Sequence, residues 1–152
     1  VDVVWTQHIG LHVADQPRLW AEGRRVLREG GRVALFAVVA GEVEPVLYPV
    51  PWAADESHGR VPRAEIIRAC LASEGLIERS WRDVSGRSLA WCVERLAATR
   101  PNATADGAHA SRRLGLHLLM GDLFRPAAEN QLRNLSERRL AVIQAVFARS
   151  SV

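Results

Sequence analysis

RVALFAVVA, residues 32–40, contains one polar residue in nine and three valines. A short continuous apolar run of this kind reads as a strand covered on both faces, as in a parallel sheet. Immediately upstream, Glu29-Gly30-Gly31 reads as a helix stop, with a glycine free to take a positive φ at the C-cap. The helix it ends is expected over residues 16–28: Asp15 is the N-cap, Pro17 sits in the first turn, and Leu19, Val26 and Leu27 share one face. Further out, VDVVWTQH opens the chain with β-branched and aromatic residues interrupted only by Asp2, which reads as another buried strand. Strand, helix and strand within some forty residues make a right-handed βαβ unit, so the two strands are expected side by side and parallel in an open α/β sheet.

Downstream, residues 41–62 carry Pro45, Pro49, Pro51 and Pro62 and the stretch YPVPWA, and read as a long loop. Loops of this length in compact domains are usually functional or mobile. Pro62 is expected to open a helix over residues 63–73, with Ile66, Ile67, Cys70 and Leu71 apolar and Gly75 as its stop. Residues 76–84 alternate only partly, which suits a one-sided strand near an edge. A helix is expected over 85–98, a break over 101–107, and two further helical pieces over 109–119 and 124–137, the latter near a cap at Asp122. LAVIQAVFA, residues 140–148, reads as the final strand. No internal repeat or low-complexity tract is found.

Composition narrows the class. With 152 residues, 48% hydrophobic and 24% charged, the chain suits one soluble domain with a real core. Its longest apolar run, residues 33–40, falls far short of the roughly 20 residues a membrane span needs. All twenty basic residues are arginine, scattered among seventeen acids along helical segments; this reads as solvated faces under a compositional bias and argues against nucleic-acid binding. Cys70 and Cys92 lack metal-ligand spacing and read as reduced core residues of a cytoplasmic protein, and no metal site is expected.

In an open α/β sheet, ligands gather outside the carboxyl ends of the strands, where loops diverge. Here that rule selects Thr6, Gln7 and His8 after the first strand and Ala40 and Gly41 after the second. His8 either handles a proton near neutrality or hydrogen-bonds backbone at the strand end. His12 lies farther along the same connection, and His117, in LGLHLLM, reads first as a buried, hydrogen-bonded histidine. Tyr48 and Trp52 either form an aromatic wall, even a box for a substrate ammonium, or pack the loop onto the sheet. Asn130, Gln131 and Asn134 fall at helical spacing; such groups usually face water, and pocket lining is the lesser reading. No GxGxxG, phosphate loop or nucleophile elbow is present.

Taken in order, VDVVWTQH, then VADQPRLWAEGRRVLREGGRVALFAVVAG, then YPVPWA resembles the class I S-adenosylmethionine-dependent methyltransferases, in particular small-molecule enzymes akin to the ubiquinone/menaquinone and sarcosine/dimethylglycine methyltransferases. The likeness covers most of residues 1–84; LGLHLLMGDLF and LAVIQAVFA resemble that family's helical insertion and antiparallel last strand less specifically. It implies the C-terminal half of a Rossmann-like seven-stranded sheet: a βαβ core with its following helix and strand over 1–84, a helical insertion over 85–139 and the last strand over 140–148. The family's N-terminal half, with its Gly-rich cofactor turn, would be absent, so the chain is expected to be the rear part of something longer. The resemblance implies S-adenosylmethionine as cofactor, bound at Thr6 and Gln7, His8 as the catalytic group, and a small-molecule methyl acceptor against His12, Tyr48, Trp52 and Asn134. A truncated cofactor site implies little activity in the chain alone.

Two other readings stay open. Half of a doubly wound sheet also suits a nicotinamide dehydrogenase, although an antiparallel last strand favours the methyltransferase. Alternatively the chain is a non-catalytic fragment or subunit that associates through the exposed N-terminal strand.

Overall fold

The computed structural model describes residues 1–98 and 116–150. Among these residues four strands form one mixed sheet: β1 (Val3–Gln7), β2 (Arg32–Ala40), β3 (Leu76–Asp83) and β4 (Leu140–Arg149). Their spatial order is β1-β2-β4-β3, with β1 and β2 parallel and β4 antiparallel to both its neighbours. Helix α1 (Gln16–Val26) makes the β1–β2 crossover, and α2 (Ala64–Ser73) leads into β3. Helices α3 (Ser85–Ala98), α4 (Leu116–Met120) and α5 (Phe124–Ser136) lie between β3 and β4. The expected break over 101–107 and most of the expected helix over 109–119, with the side chain of His117, lie outside the described residues.

Period-2 alternation sends β2 into two different environments. Val33, Leu35 and Val39 join Ile143, Ala145 and Phe147 of β4 in a core closed by Trp20 and Leu27 from the α1 segment and Ile67 and Leu71 of α2. On the opposite face Phe36 and Val38 meet Leu140 and Val142, together with Leu135 of α5 and Leu89 and Cys92 of α3. Burial on both faces accounts for the unbroken apolar run. At the sheet's edge β3 is mostly exposed, with a register irregularity between Glu78 and Ser80 and an Arg68–Glu78 ion pair of 2.9 Å beside it.

Some element boundaries shift by one or two residues. The Asp15 carboxylate caps α1 by accepting from the Arg18 N–H at 2.9 Å, as expected. The helix ends at Val26, two residues short of Arg28, because Leu27 turns extended and buries its side chain in the core. The positive-φ glycine, Gly30 at 68°, serves the following turn instead of the C-cap. Helix α2 begins at Ala64 with Arg63 as N-cap, and Gly75 stops it at φ 69°. Asp122 caps nothing: it lies within a 3-10 turn, Gly121–Leu123, that runs directly into α5.

Candidate functional site

At the carboxyl end of β1 the chain leaves the sheet through a single strained residue. The His8 N–H still donates to the Phe36 carbonyl at 2.8 Å, but its φ is 54°, in the left-handed region that non-glycine residues seldom occupy. The next residues form a 3-10 turn, Gly10–His12, tied down by Gln16, whose buried amide donates to the carbonyls of Gly10 and Val13, both at 2.7 Å. This ties Leu11 into the interior and leaves His12 exposed.

Between these residues and α3 and α5 lies a cavity of about 530 Å³, within the range of small-molecule sites. Its floor is the second face of the sheet. Register pairs Gln7 with Phe36, Phe36 with Gln144, and Val38 with Val142, and all five line the cavity. Leu11, Leu135 and Leu140 extend the apolar surface, and Trp52 and Trp91 add aromatic walls. Helix α3 contributes a stripe at helical spacing, Arg87, Ser88, Trp91 and Cys92, preceded by Val84.

His8 is half-buried at the edge of this cavity, its ring 4.7 Å from that of Phe36. Nδ1 is buried and, among the described residues, has no hydrogen-bond partner. Burial holds the imidazole below its usual pKa of 6.5, which favours the neutral ring at physiological pH. Burial also raises the Cys92 thiol, so it lines the cavity as a protonated, weakly nucleophilic group.

Of the residues expected from the sequence, His8, Gln7, His12 and Trp52 are brought together around the cavity. Thr6 lies on the opposite side of the strand, in a narrow crevice with Trp20 and Ile67. Tyr48 and Asn134 serve the loop. The Tyr48 hydroxyl donates to the Gly59 carbonyl at 2.9 Å, and its pKa is raised by burial and by the nearby Glu56 and Asp55. Asn134 is fully buried: Oδ1 accepts from the Leu47 N–H at 2.8 Å and Nδ2 donates to the Leu47 carbonyl at 2.9 Å. One turn earlier, Asn130 donates to the Pro49 carbonyl at 3.1 Å, and Arg139 donates to the Pro45 carbonyl at 2.7 Å. The long loop is thereby gripped by α5 and the start of β4, and it carries Trp52 to the cavity wall.

One cluster imitates a catalytic arrangement. Asp55 accepts from Ser57 Oγ at 2.5 Å and lies 2.9 Å from His58 Nδ1. All three are exposed on a 3-10 turn, and the Ser57 and His58 contacts hold Asp55 down to about 2. The serine hydroxyl is committed to the carboxylate, so the group acts as a turn cap. Among the described residues no set of three or more His, Cys, Asp or Glu is placed to hold a metal, and no helix is long and apolar enough to cross a membrane.

No family model matches the sequence, and no curated protein matches it either. Solved structures do. The geranyl diphosphate C-methyltransferase of Streptomyces coelicolor, solved with geranyl diphosphate and S-adenosylhomocysteine, superposes with a TM-score of 0.67 at 14% identity, over 98% of this chain and 47% of that one. Phosphoethanolamine N-methyltransferase 2 of Haemonchus contortus, bound to S-adenosylmethionine, gives 0.68 at 14% identity over 99% of this chain and 33% of that one. The chain has the fold of the S-adenosylmethionine-dependent methyltransferases. It spans about half the length, or less, of these structures. The same methyltransferase fold also appears in the [4+2]-cyclase SpnF, with a TM-score of 0.61 at 19% identity over 99% of this chain and 50% of that one. The antiparallel β4, held between β2 and β3, is the element the sequence reading used to prefer this fold over a dehydrogenase.

Proposed function

We propose that the chain is the rear part of a seven-stranded methyltransferase domain, and that it serves methyl transfer from S-adenosylmethionine to a small organic acceptor held in the cavity. The observation that carries this reading is His8: a strained residue at a strand's carboxyl end, bordering an apolar cavity, with a buried nitrogen that none of the described residues satisfies. A ligand hydroxyl or amine is the kind of group that would satisfy it.

The cofactor, when bound, supplies an electrophilic methyl on a sulfonium. The chain's own task is then to hold the acceptor in line with that methyl and to manage the acceptor's proton. Neutral His8 can accept that proton. Gln7 would face the cofactor edge, Thr6 could reach the cofactor only from the strand's other side, and Trp52, His12 and Trp91 would enclose the acceptor. Tyr48, Asn130 and Asn134 would act at one remove, by fixing the loop that bears Trp52. Among the described residues β1 pairs only with β2, and elements docked on its free edge would complete the cofactor's surroundings. The two unpaired cysteines accord with a cytoplasmic setting.

The deciding experiment, on protein carrying both halves of the domain, is calorimetric titration with S-adenosylhomocysteine, followed by incubation with methyl-labelled S-adenosylmethionine and a panel of small acceptors. Saturable binding with labelled product supports the reading, and His8→Gln should then lower turnover by about 10²–10⁴-fold while retaining cofactor binding. Absence of both would favour the non-catalytic, partner-associating reading.

A further inference from the structure

We propose that the cavity selects an acceptor of largely hydrocarbon character, any charge on it being negative and set against Arg87. This rests on the reading of the cavity as the acceptor site and adds the class of molecule it takes.

The lining carries the argument. Leu11, Phe36, Val38, Leu135, Leu140 and Val142 provide a continuous apolar surface that rewards burial of hydrocarbon. Among the described residues no carboxylate lines it, so a cationic ligand would lose its hydration with no opposite charge to replace it. The nearby Asp83 carboxylate is occupied, accepting from the Ser85 N–H at 2.7 Å at the start of α3.

Aromatic faces do not rescue a cation either. An aromatic cage needs several free rings, and Tyr48 is spent on the loop. Trp91 already has the Arg95 guanidinium over its ring at 5.7 Å. The ammonium box expected from Tyr48 and Trp52 is therefore reduced to Trp52.

The cationic lining residue is Arg87, in the first turn of α3, where the helix N-terminus adds a partial positive charge. Among the described residues it has no ion-pair partner, unlike Arg25, Arg28, Arg68 and Arg133, each within 3.0 Å of a carboxylate. An acceptor carboxylate or phosphate would find there a donor already free.

Three probes of one chain length separate the possibilities in protein carrying both halves of the domain: decanoate, decanol and decylammonium, titrated below micelle formation with tryptophan fluorescence and calorimetry as readouts. Decanoate and decanol are expected to bind, with decylammonium at least about tenfold weaker. Arg87→Gln should weaken decanoate about tenfold and leave decanol unchanged. Ser88→Phe, which fills the cavity from α3, should weaken both. Equal binding of decylammonium, an equal effect of Arg87→Gln on decanoate and decanol, insensitivity to Ser88→Phe, or no binding of any probe would overturn the proposal. S-adenosylhomocysteine binding in the same protein keeps the two claims apart: cofactor binding without probe selectivity removes this inference alone, and selective probe binding without cofactor removes methyl transfer alone.

Discussion

The two faces of β2 are built from the same kinds of side chain and end in different surroundings. Val33 and Leu35 are pressed between strands and two helices, and the Phe147 ring beside them is 2% exposed. Phe36 and Val38, one residue out of phase, floor an open cavity beneath Trp91, which is 60% exposed. The difference lies in what covers each face. Trp20 and Leu27 from the α1 segment and Ile67 and Leu71 of α2 seal the first face, whereas α3 and α5 touch the second mainly near Leu89, Cys92 and Leu135. Apolar packing left incomplete on one face only is what a binding site requires, since interiors are otherwise close-packed.

Mutation can break that contrast. Phe147→Ala should cost the most, about 3–5 kcal/mol in urea unfolding, because it empties a site closed on all sides. A loss at Trp91→Ala as large as this would mean that both faces are packed alike. Asn134→Ala should cost about 2–3 kcal/mol, since the Leu47 N–H and C=O both lose a buried partner. Hydrogen exchange at the Leu47 amide should quicken in the same variant. Asp15→Ala, which removes the α1 cap under the packed face, should cost about 1 kcal/mol by the same measurement. Trp91→Ala itself should fall within about 0.5 kcal/mol of the parent while altering probe binding.

His8 gives the contrast a pH signature. Its folded pKa lies below the usual 6.5 because burial disfavours the imidazolium, so the unfolded chain takes up the proton first as pH falls. The stability owed to neutral His8 is complete above about 6.5 and is lost as pH falls from there through the folded value. Urea midpoints measured between pH 7.5 and 5 should decline over that window, and His8→Gln should flatten this part of the decline.

Much of the fold was legible because it rests on local signals. The apolar run at 32–40, the Asp15 cap, the Gly75 stop and the partial alternation of β3 each report a neighbourhood a few residues wide. The strand-end rule likewise pointed to Gln7 and His8, which border the cavity. Asn134 was opaque for the opposite reason: its partner, Leu47, is 87 residues away, and mid-helix asparagine resembles solvent-facing polarity. The same holds for Gly41, where a Cβ would come within 2.1 Å of the Arg138 carbonyl oxygen, across the length of the chain. Arg87 and Trp91 went unnoticed even though residues 84, 87, 88, 91 and 92 form a helical stripe with aromatic and basic members. That spacing was the available signal.

The place of β4 bears on how the sheet is made. It is the last strand in chain order and yet sits inside the sheet, against both β2 and β3. About 100 residues separate Ala40 from Leu140, so at translation rates of roughly 5–20 residues per second β2 waits on the order of 5–20 s for its antiparallel partner. During that interval β2 and β3 share no strand contact, and the edges that β4 will cover are open to any strand nearby. Joining of the described strands into one sheet thus awaits β4, and the nascent chain depends until then on whatever shields those edges.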